Sequence, residues 1–169
     1  MIAQPASLST INAMLLTEFI AAFGDVAEHS PWVAEAATKA RPFASSDAMI
    51  NAFEAALRNG PKPAQLALIR AHPDLAGKAR LTADSSKEQA GAGLDTLTEE
   101  EMQRFTILND TYKSRFGFPF IFAVKGATKH QILAAFEARL SHDADKEFAT
   151  ALAQIARIFR FRIEDRVSS

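Results

Sequence analysis

The chain has 169 residues, 48% of them hydrophobic, with 19 basic and 20 acidic side chains and a formal charge of -1. That length and apolar fraction suit one domain around a single sizeable core, spanning 1–169, and the balanced charge excludes the extended positive surface a nucleic-acid partner needs. Cysteine is absent, which excludes a thiol nucleophile, a Cys-ligated zinc site, an iron–sulfur cluster and a disulfide framework, and suits a reducing cytoplasm.

The first helix is expected from Ser9 or Thr10, with Leu15, Leu16, Phe19, Ile20 and Phe23 on its apolar stripe and Gly24 at its end. Ser30-Pro31 is a cap and first-turn proline signature for a short helix carrying Trp32 and Val33, which Pro42 closes. Ser46 and Asp47 can cap a third helix through Ile50, Phe53 and Leu57, ended by Asn59-Gly60-Pro61. Pro63 opens a fourth bearing Leu66, Leu68 and Ile69, and Pro73 stops it near His72 by disfavouring helical geometry in the preceding residue.

From Pro73 to Asp84 periodicity is lost, and a loop or broken turn is expected. Ser85 with Glu88, Thr98 with Glu101, and Thr128 with Gln131 each match the capping box, in which the first side chain accepts the third residue's N–H and the third reaches back. The Thr98 helix, carrying Met102, Phe105, Ile107 and Leu108, should stop at Gly117 in the left-handed conformation. Phe118 to Val124 is then an extended apolar segment, followed by helices from Thr128 to about Leu140 and from Asp145 to about Val167. One extended segment makes no sheet, so the fold class is all-α, a bundle of about seven or eight helices. No apolar run is long enough to cross a bilayer, Met1 to Ser9 lacks a secretory pattern, and Val167-Ser168-Ser169 is not a peroxisomal address, so no membrane association is expected.

Among four histidines, His29, His130 and His142 lie in polar helix or helix-start contexts and are expected to be solvated. His72 differs: the helix end and the Pro73-Asp74 turn fix its backbone, so its imidazole is a candidate acid or base, the alternative being a cap on the helix's last carbonyls. Ser85, Glu88 and Gln89 offer a hydroxyl, a carboxylate and an amide at a helix N-terminus; a capping box accounts for Ser85 and Glu88 but leaves Gln89 unexplained. Arg157, Arg160, Arg162 and Arg166 crowd the last helix, and Arg162, among apolar neighbours, is the candidate for binding a carboxylate bidentately. No His-Glu-x-x-His pattern, EF-hand loop or phosphate-binding glycine loop is present, and no metal is expected.

Taken in order, Glu28-His29-Ser30-Pro31-Trp32, Arg41-Pro42-Phe43, Ala71-His72-Pro73-Asp74-Leu75-Ala76-Gly77-Lys78, Ser85-Ser86-Lys87-Glu88-Gln89, Leu108-Asn109-Asp110-Thr111-Tyr112, Arg115-Phe116-Gly117-Phe118-Pro119-Phe120-Ile121 and Arg160-Phe161-Arg162-Ile163-Glu164-Asp165 give the chain a pattern. It resembles the 2-oxo-4-hydroxy-4-carboxy-5-ureidoimidazoline (OHCU) decarboxylase family over nearly its whole length. The resemblance implies an all-helical, cytoplasmic enzyme of urate breakdown that uses no cofactor, takes a small-molecule ureidoimidazoline substrate, yields (S)-allantoin and is usually a homodimer. By the same resemblance His72 is the catalytic histidine, with Glu88 beside it. Pro73, Ser85, Glu88, Gln89 and Arg162 contact substrate, and the backbone of Phe120, Ile121, Phe122, Ala123 and Val124 completes the pocket. Because arginines alternate near the end, Arg160 stands as the alternative to Arg162. Three other readings stay open: a binder of ureides or purine derivatives without turnover, an interaction module built on Trp32 and Phe118 to Phe122, and a relative acting on a different ureido acid.

Overall fold

The computed structural model describes residues 4–77 and 81–168, so Lys78 of the His-Pro motif and the terminal Ser169 lie outside the described residues. Among the described residues the architecture is mostly α, with nine α-helices, two 3-10 turns and one two-stranded pairing. The chain divides into two compact units, one formed by residues up to Ala71 together with those from Ile155 onward, the other by His72–Gln154. No helix among the described residues is long and apolar enough to cross a membrane.

In the first unit the expected opening helix is two helices, α1 (Leu8–Ala13) and α2 (Leu16–Phe23), which raises the count from the seven or eight expected. Ser7 caps α1 by accepting the Thr10 N–H at 3.2 Å. Met14 and Leu15 are extended, and the Glu18 carboxylate accepts the Leu15 N–H at 2.8 Å, which starts the helix afresh. The break turns the stripe: Ile11, Phe19 and Phe23 are buried, whereas Leu15 and Leu16, expected in the core, are 68% and 53% exposed. Arg41 offsets the cost of the break by donating to the Ile11 and Met14 carbonyls, each at 2.8 Å, while its guanidinium lies 4.9 Å from the Phe19 ring centre. Asn12 and Phe43 exchange reciprocal bonds of 3.0 and 2.7 Å across the same junction.

Pro31 sets the start of α3 (Trp32–Ala37), but Ser30 does not cap it; the Ser30 hydroxyl donates instead to the Glu28 carbonyl at 2.8 Å. A 3-10 turn, Thr38–Ala40, leads to the expected stop at Pro42. Ser45, one residue before the expected position, caps α4 (Ser46–Asn59). The Gln65 amide of α5 (Lys62–Ala71) then closes the end of α4 by donating to the Leu57 and Arg58 carbonyls. Phe19, Phe53 and Phe159 pack with centroids 6.2 and 6.3 Å apart at the centre of this unit. Two residues at each end, β1 (Ala6–Ser7) and β2 (Val167–Ser168), pair in parallel, a contact that no local pattern announces.

The second unit holds α6 (Ala83–Gly91), α7 (Glu99–Phe116), α8 (Lys129–Arg139) and the first part of α9 (Ala144–Arg166), whose residues from Ile155 belong to the first unit. The capping boxes at Thr98–Glu101 and Thr128–Gln131 are both formed, and Gly117 ends α7 with φ 78°. The third expected box is not: Thr82 caps α6 by accepting the Ser85 N–H at 3.2 Å, which puts Ser85 inside the helix. Ile107, expected in the core, is 58% exposed. Tyr112 sits among Phe116, Phe118, Phe120 and Phe136, and Phe120 stacks on Phe136 at 3.8 Å.

Two stability measurements check these assignments. Arg41→Ala, which takes the Arg41 donor from the Met14 carbonyl and leaves the Ile11 carbonyl with the Met14 N–H alone, should lower the urea unfolding free energy by about 1–3 kcal/mol, against under about 1 kcal/mol for Arg58→Ala in the exposed pair with Glu54. Lys129, hydrogen-bonded to Glu101 at 2.7 Å, and the Thr98 N–H hold the Glu101 carboxyl at about 2, below its ordinary 4.5. Glu101→Gln should therefore be less stable than wild type above pH 4.5, with the difference vanishing as pH falls towards 2.

Candidate functional site

Alpha-helix α5 ends at Ala71, and Pro73 forbids its continuation, so His72 stands at the boundary with the side chain buried to 8% exposure. The chain then turns from Asp74 to Gly77, closed by the Gly77 N–H to the Asp74 carbonyl at 3.3 Å. Ala76 occupies the left-handed region with φ 56°, a conformation rarely adopted by a residue with a Cβ. Gly77 is required by close approach, because a Cβ there would lie 2.9 Å from that of Asp74.

The capping of α6 by Thr82 changes what Ser85, Glu88 and Gln89 can do. Ser85 is not the cap, so the local explanation of its hydroxyl is removed, and the spacing of three and four residues places all three side chains on one helix face. Ser85 and Gln89 are 5% and 7% exposed, and Glu88 is half-buried. The Gln89 amide reaches the His72 turn: its Oε1 accepts the Ala76 N–H at 2.9 Å and its Nε2 donates to the Asp74 carbonyl at 3.4 Å. Alpha-helix α7 holds the same turn, through the Asn109 amide on the Leu75 carbonyl at 2.8 Å and Lys113 on the Asp74 carboxylate at 2.7 Å.

The segment from Phe118 to Val124 has no regular secondary structure and pairs with no strand among the described residues, yet Phe120, Ile121, Ala123 and Val124 are at most 4% exposed. Two of its backbone groups are met by side chains and one by a backbone N–H, as burial of an irregular segment requires. The Ile121 carbonyl accepts from Arg139 at 2.5 Å, the Ala123 N–H donates to Gln154 Oε1 at 2.9 Å, and the Val124 carbonyl accepts the Ala127 N–H at 2.9 Å. Phe122, half-buried, stacks with Phe120 at 6.1 Å.

Behind that segment lies a polar cluster that sequence reasoning missed. Glu147 has no exposed surface; its Oε1 accepts from Tyr112 at 2.5 Å and Arg139 at 2.8 Å, and its Oε2 lies 2.9 Å from His142 Nδ1. The Arg139 guanidinium lies 4.3 Å from the Phe120 ring centre, so one side chain binds both the ring and the following carbonyl. Burial, reinforced by Glu147, pushes the Tyr112 phenol above its ordinary range and keeps it a donor. His142, expected to be solvated, instead has a side chain 26% exposed and faces this carboxylate. Arg139 and Glu147 are eight residues apart on separate helices, and no helical periodicity links them. His29 and His130 are exposed as expected, though His29 has φ 48°.

Arg162 lies in the first unit, buried to 3% exposure, with its guanidinium 2.8 Å from Glu28 Oε1 and donating to the Val26 carbonyl at 3.1 Å. Arg160 behaves differently: its side chain is 43% exposed and pairs with Asp47 and Glu164. The alternating arginines are thus one buried and one solvated. His72, Pro73, Ser85, Glu88, Gln89 and Phe120 to Val124 all belong to the second unit.

Three comparisons bear on what this arrangement is. A family model described as OHCU decarboxylase matches residues 12–164. The 2-oxo-4-hydroxy-4-carboxy-5-ureidoimidazoline decarboxylase of Haloferax volcanii is 43% identical over 96% of this chain and 97% of its own length. The mouse (Mus musculus) protein of the same name is 35% identical over 92% of this chain and 89% of its own. The uric acid degradation bifunctional protein PucL of Bacillus subtilis is 40% identical over 95% of this chain but only 32% of its own length. Among solved structures, an (S)-allantoin synthase superposes with TM-score 0.79 at 31% identity, over 96% of this chain and 54% of that one. A structure of OHCU decarboxylase in the presence of (S)-allantoin has TM-score 0.69 at 23% identity, over 83% of this chain and 93% of that one, and speaks for the fold alone. With a family match running from Asn12 to Glu164 and relatives matched end to end, the chain belongs to the OHCU decarboxylase family.

Proposed function

We propose that this chain decarboxylates 2-oxo-4-hydroxy-4-carboxy-5-ureidoimidazoline to (S)-allantoin, with His72 as the general acid and base. The observation that carries the reading is a buried histidine at a proline-terminated helix end, its turn held by three side chains, within a chain matched almost end to end by relatives bearing that name.

The chemistry asks little beyond what these residues supply. When the carbon–carboxylate bond breaks, carbon dioxide leaves and the electron pair moves into the conjugated imidazoline ring, so the substrate is its own electron sink. The hydroxyl on the same carbon becomes a ring carbonyl as its proton is taken, and a proton is returned to the ureido-bearing carbon. Delivery of that proton to one face gives one enantiomer. His72 handles these protons and Glu88 orients its imidazole or a substrate N–H. Ser85 and the backbone of Phe120, Ile121, Phe122, Ala123 and Val124 bind ring and ureido groups beside Pro73, and Gln89 adds the amide hydrogen that its bond to Asp74 leaves over. Arg162 binds an anionic or carbonyl oxygen of the substrate, the task its planar fork suits better than a lysine ammonium. On the same reading the chain acts as one domain, as a homodimer, in the cytoplasm and without a cofactor.

The test is to form the substrate in place by oxidising urate and hydrolysing the hydroxyisourate product, then to follow carbon dioxide release. His72→Ala and His72→Asn should lower kcat by about 10²- to 10⁴-fold while far-UV circular dichroism stays that of the wild type. Loss of the folded spectrum together with activity would instead make His72 structural. Arg162→Lys should raise KM by about 10-fold or more, as expected for loss of a bidentate, charge-assisted contact, whereas Arg160→Lys should leave KM unchanged.

A further inference from the structure

The Leu108–Tyr112 stretch of α7 carries no substrate role, yet it contains Asn109, a polar side chain only 4% exposed. Its Nδ2 donates to the Leu75 carbonyl at 2.8 Å, three residues beyond His72, and Lys113, one helical turn further along the same face, meets the Asp74 carboxylate at 2.7 Å. From α6, Gln89 holds the Ala76 N–H at 2.9 Å and the Asp74 carbonyl at 3.4 Å. Three consecutive residues of a short turn are therefore held by side chains from two helices.

The need for such holding is visible in the turn itself. Ala76 has φ 56°, which a free chain with a Cβ avoids, and its N–H is the group that Gln89 receives. Leu75 and Ala76 are 6% and 8% exposed, so water is a poor substitute for these side-chain partners. Without the two amides the turn would relax towards ordinary dihedrals, and the displacement would pass through Pro73 to His72. The rigid proline ring makes that transmission direct.

We propose that Asn109 is a positioning residue for His72, acting with Gln89 as a two-amide clamp on Asp74, Leu75 and Ala76. The proposal rests on the reading of His72 as acid and base. Asn109 acts through the turn without touching substrate, and removing it should impair the chemical step while substrate binding persists.

The test uses Asn109→Leu, which keeps the volume and removes the donor, with Asn109→Ala as a second donorless variant should the first fail to fold. Both are assayed with the substrate formed in place, and the His72 ring resonance is followed in the 13C-labelled protein after assignment with His72→Asn. A misplacement of the order of 1 Å costs about 10²-fold in rate, so kcat should fall by about that factor with KM changed less than about 2-fold. The His72 ring signal should shift or broaden while those of His29 and His130 stay in place. A folded Asn109 variant with wild-type kcat and an unchanged His72 signal overturns the proposal, as does a KM increase at constant kcat, which would make Asn109 a substrate contact. If the wild type releases carbon dioxide no faster than the uncatalysed reaction, the reaction assigned above falls. The His72 signal then decides the positioning role alone: altered supports it and unchanged overturns it.

Discussion

Glu147 is completely buried, and a carboxylate in that position is tolerated only because Tyr112, Arg139 and His142 close on it from three directions. Those partners come from α7, from the end of α8 and from the turn after it, so one charge fixes the spacing of three helical elements. The interaction extends beyond the pair, because Arg139 also binds the Ile121 carbonyl and lies over Phe120. An irregular segment with little water access needs its backbone groups answered from elsewhere, and here the donor to the Ile121 carbonyl is the arginine that Glu147 holds. Replacing the pair with apolar residues of equal volume could preserve the packing of Phe120 on Phe136, but the Ile121 carbonyl would lose its donor.

Alpha-helix α7 links this cluster to the histidine. Asn109, Tyr112 and Lys113 follow one another on a single helical face, the first and last holding the His72 turn and the middle one joining Glu147. The two parts of the candidate site in the second unit are thus referenced to one rigid element, which is what a reaction with a defined protonation face requires. The local price is a left-handed Ala76 and a glycine packed against Asp74 at the turn.

What the sequence made legible follows the range of each interaction. The Thr98 and Thr128 caps, the Gly117 stop and the arrest of α5 before Pro73 are settled within four residues of chain, and all are found where expected. The break at Met14 and Leu15 was not legible, since the apolar spacing runs on through it and the stabilising donor, Arg41, is far along the chain. Ser85 shows the limit from the other side: it satisfies a capping pattern, but Thr82 satisfies the same geometry three residues earlier and takes the position. Gln89, which no cap explained, turns out to be bonded to the His72 turn. Asn109, Arg139 and Glu147 were out of reach because each is defined by a partner on another element, whereas the burial of Arg162 against the exposure of Arg160 agrees with the helical spacing that set Arg162 among apolar neighbours.

The central claim is that a positioned His72 directs a stereospecific decarboxylation, and the optical activity of the product tests it most directly. Circular dichroism of the allantoin formed from freshly generated substrate should rise as a single (S) enantiomer with the protein present and vanish with a folded His72→Ala variant. Racemic product at the uncatalysed rate, or an unchanged signal with the variant, would contradict the account.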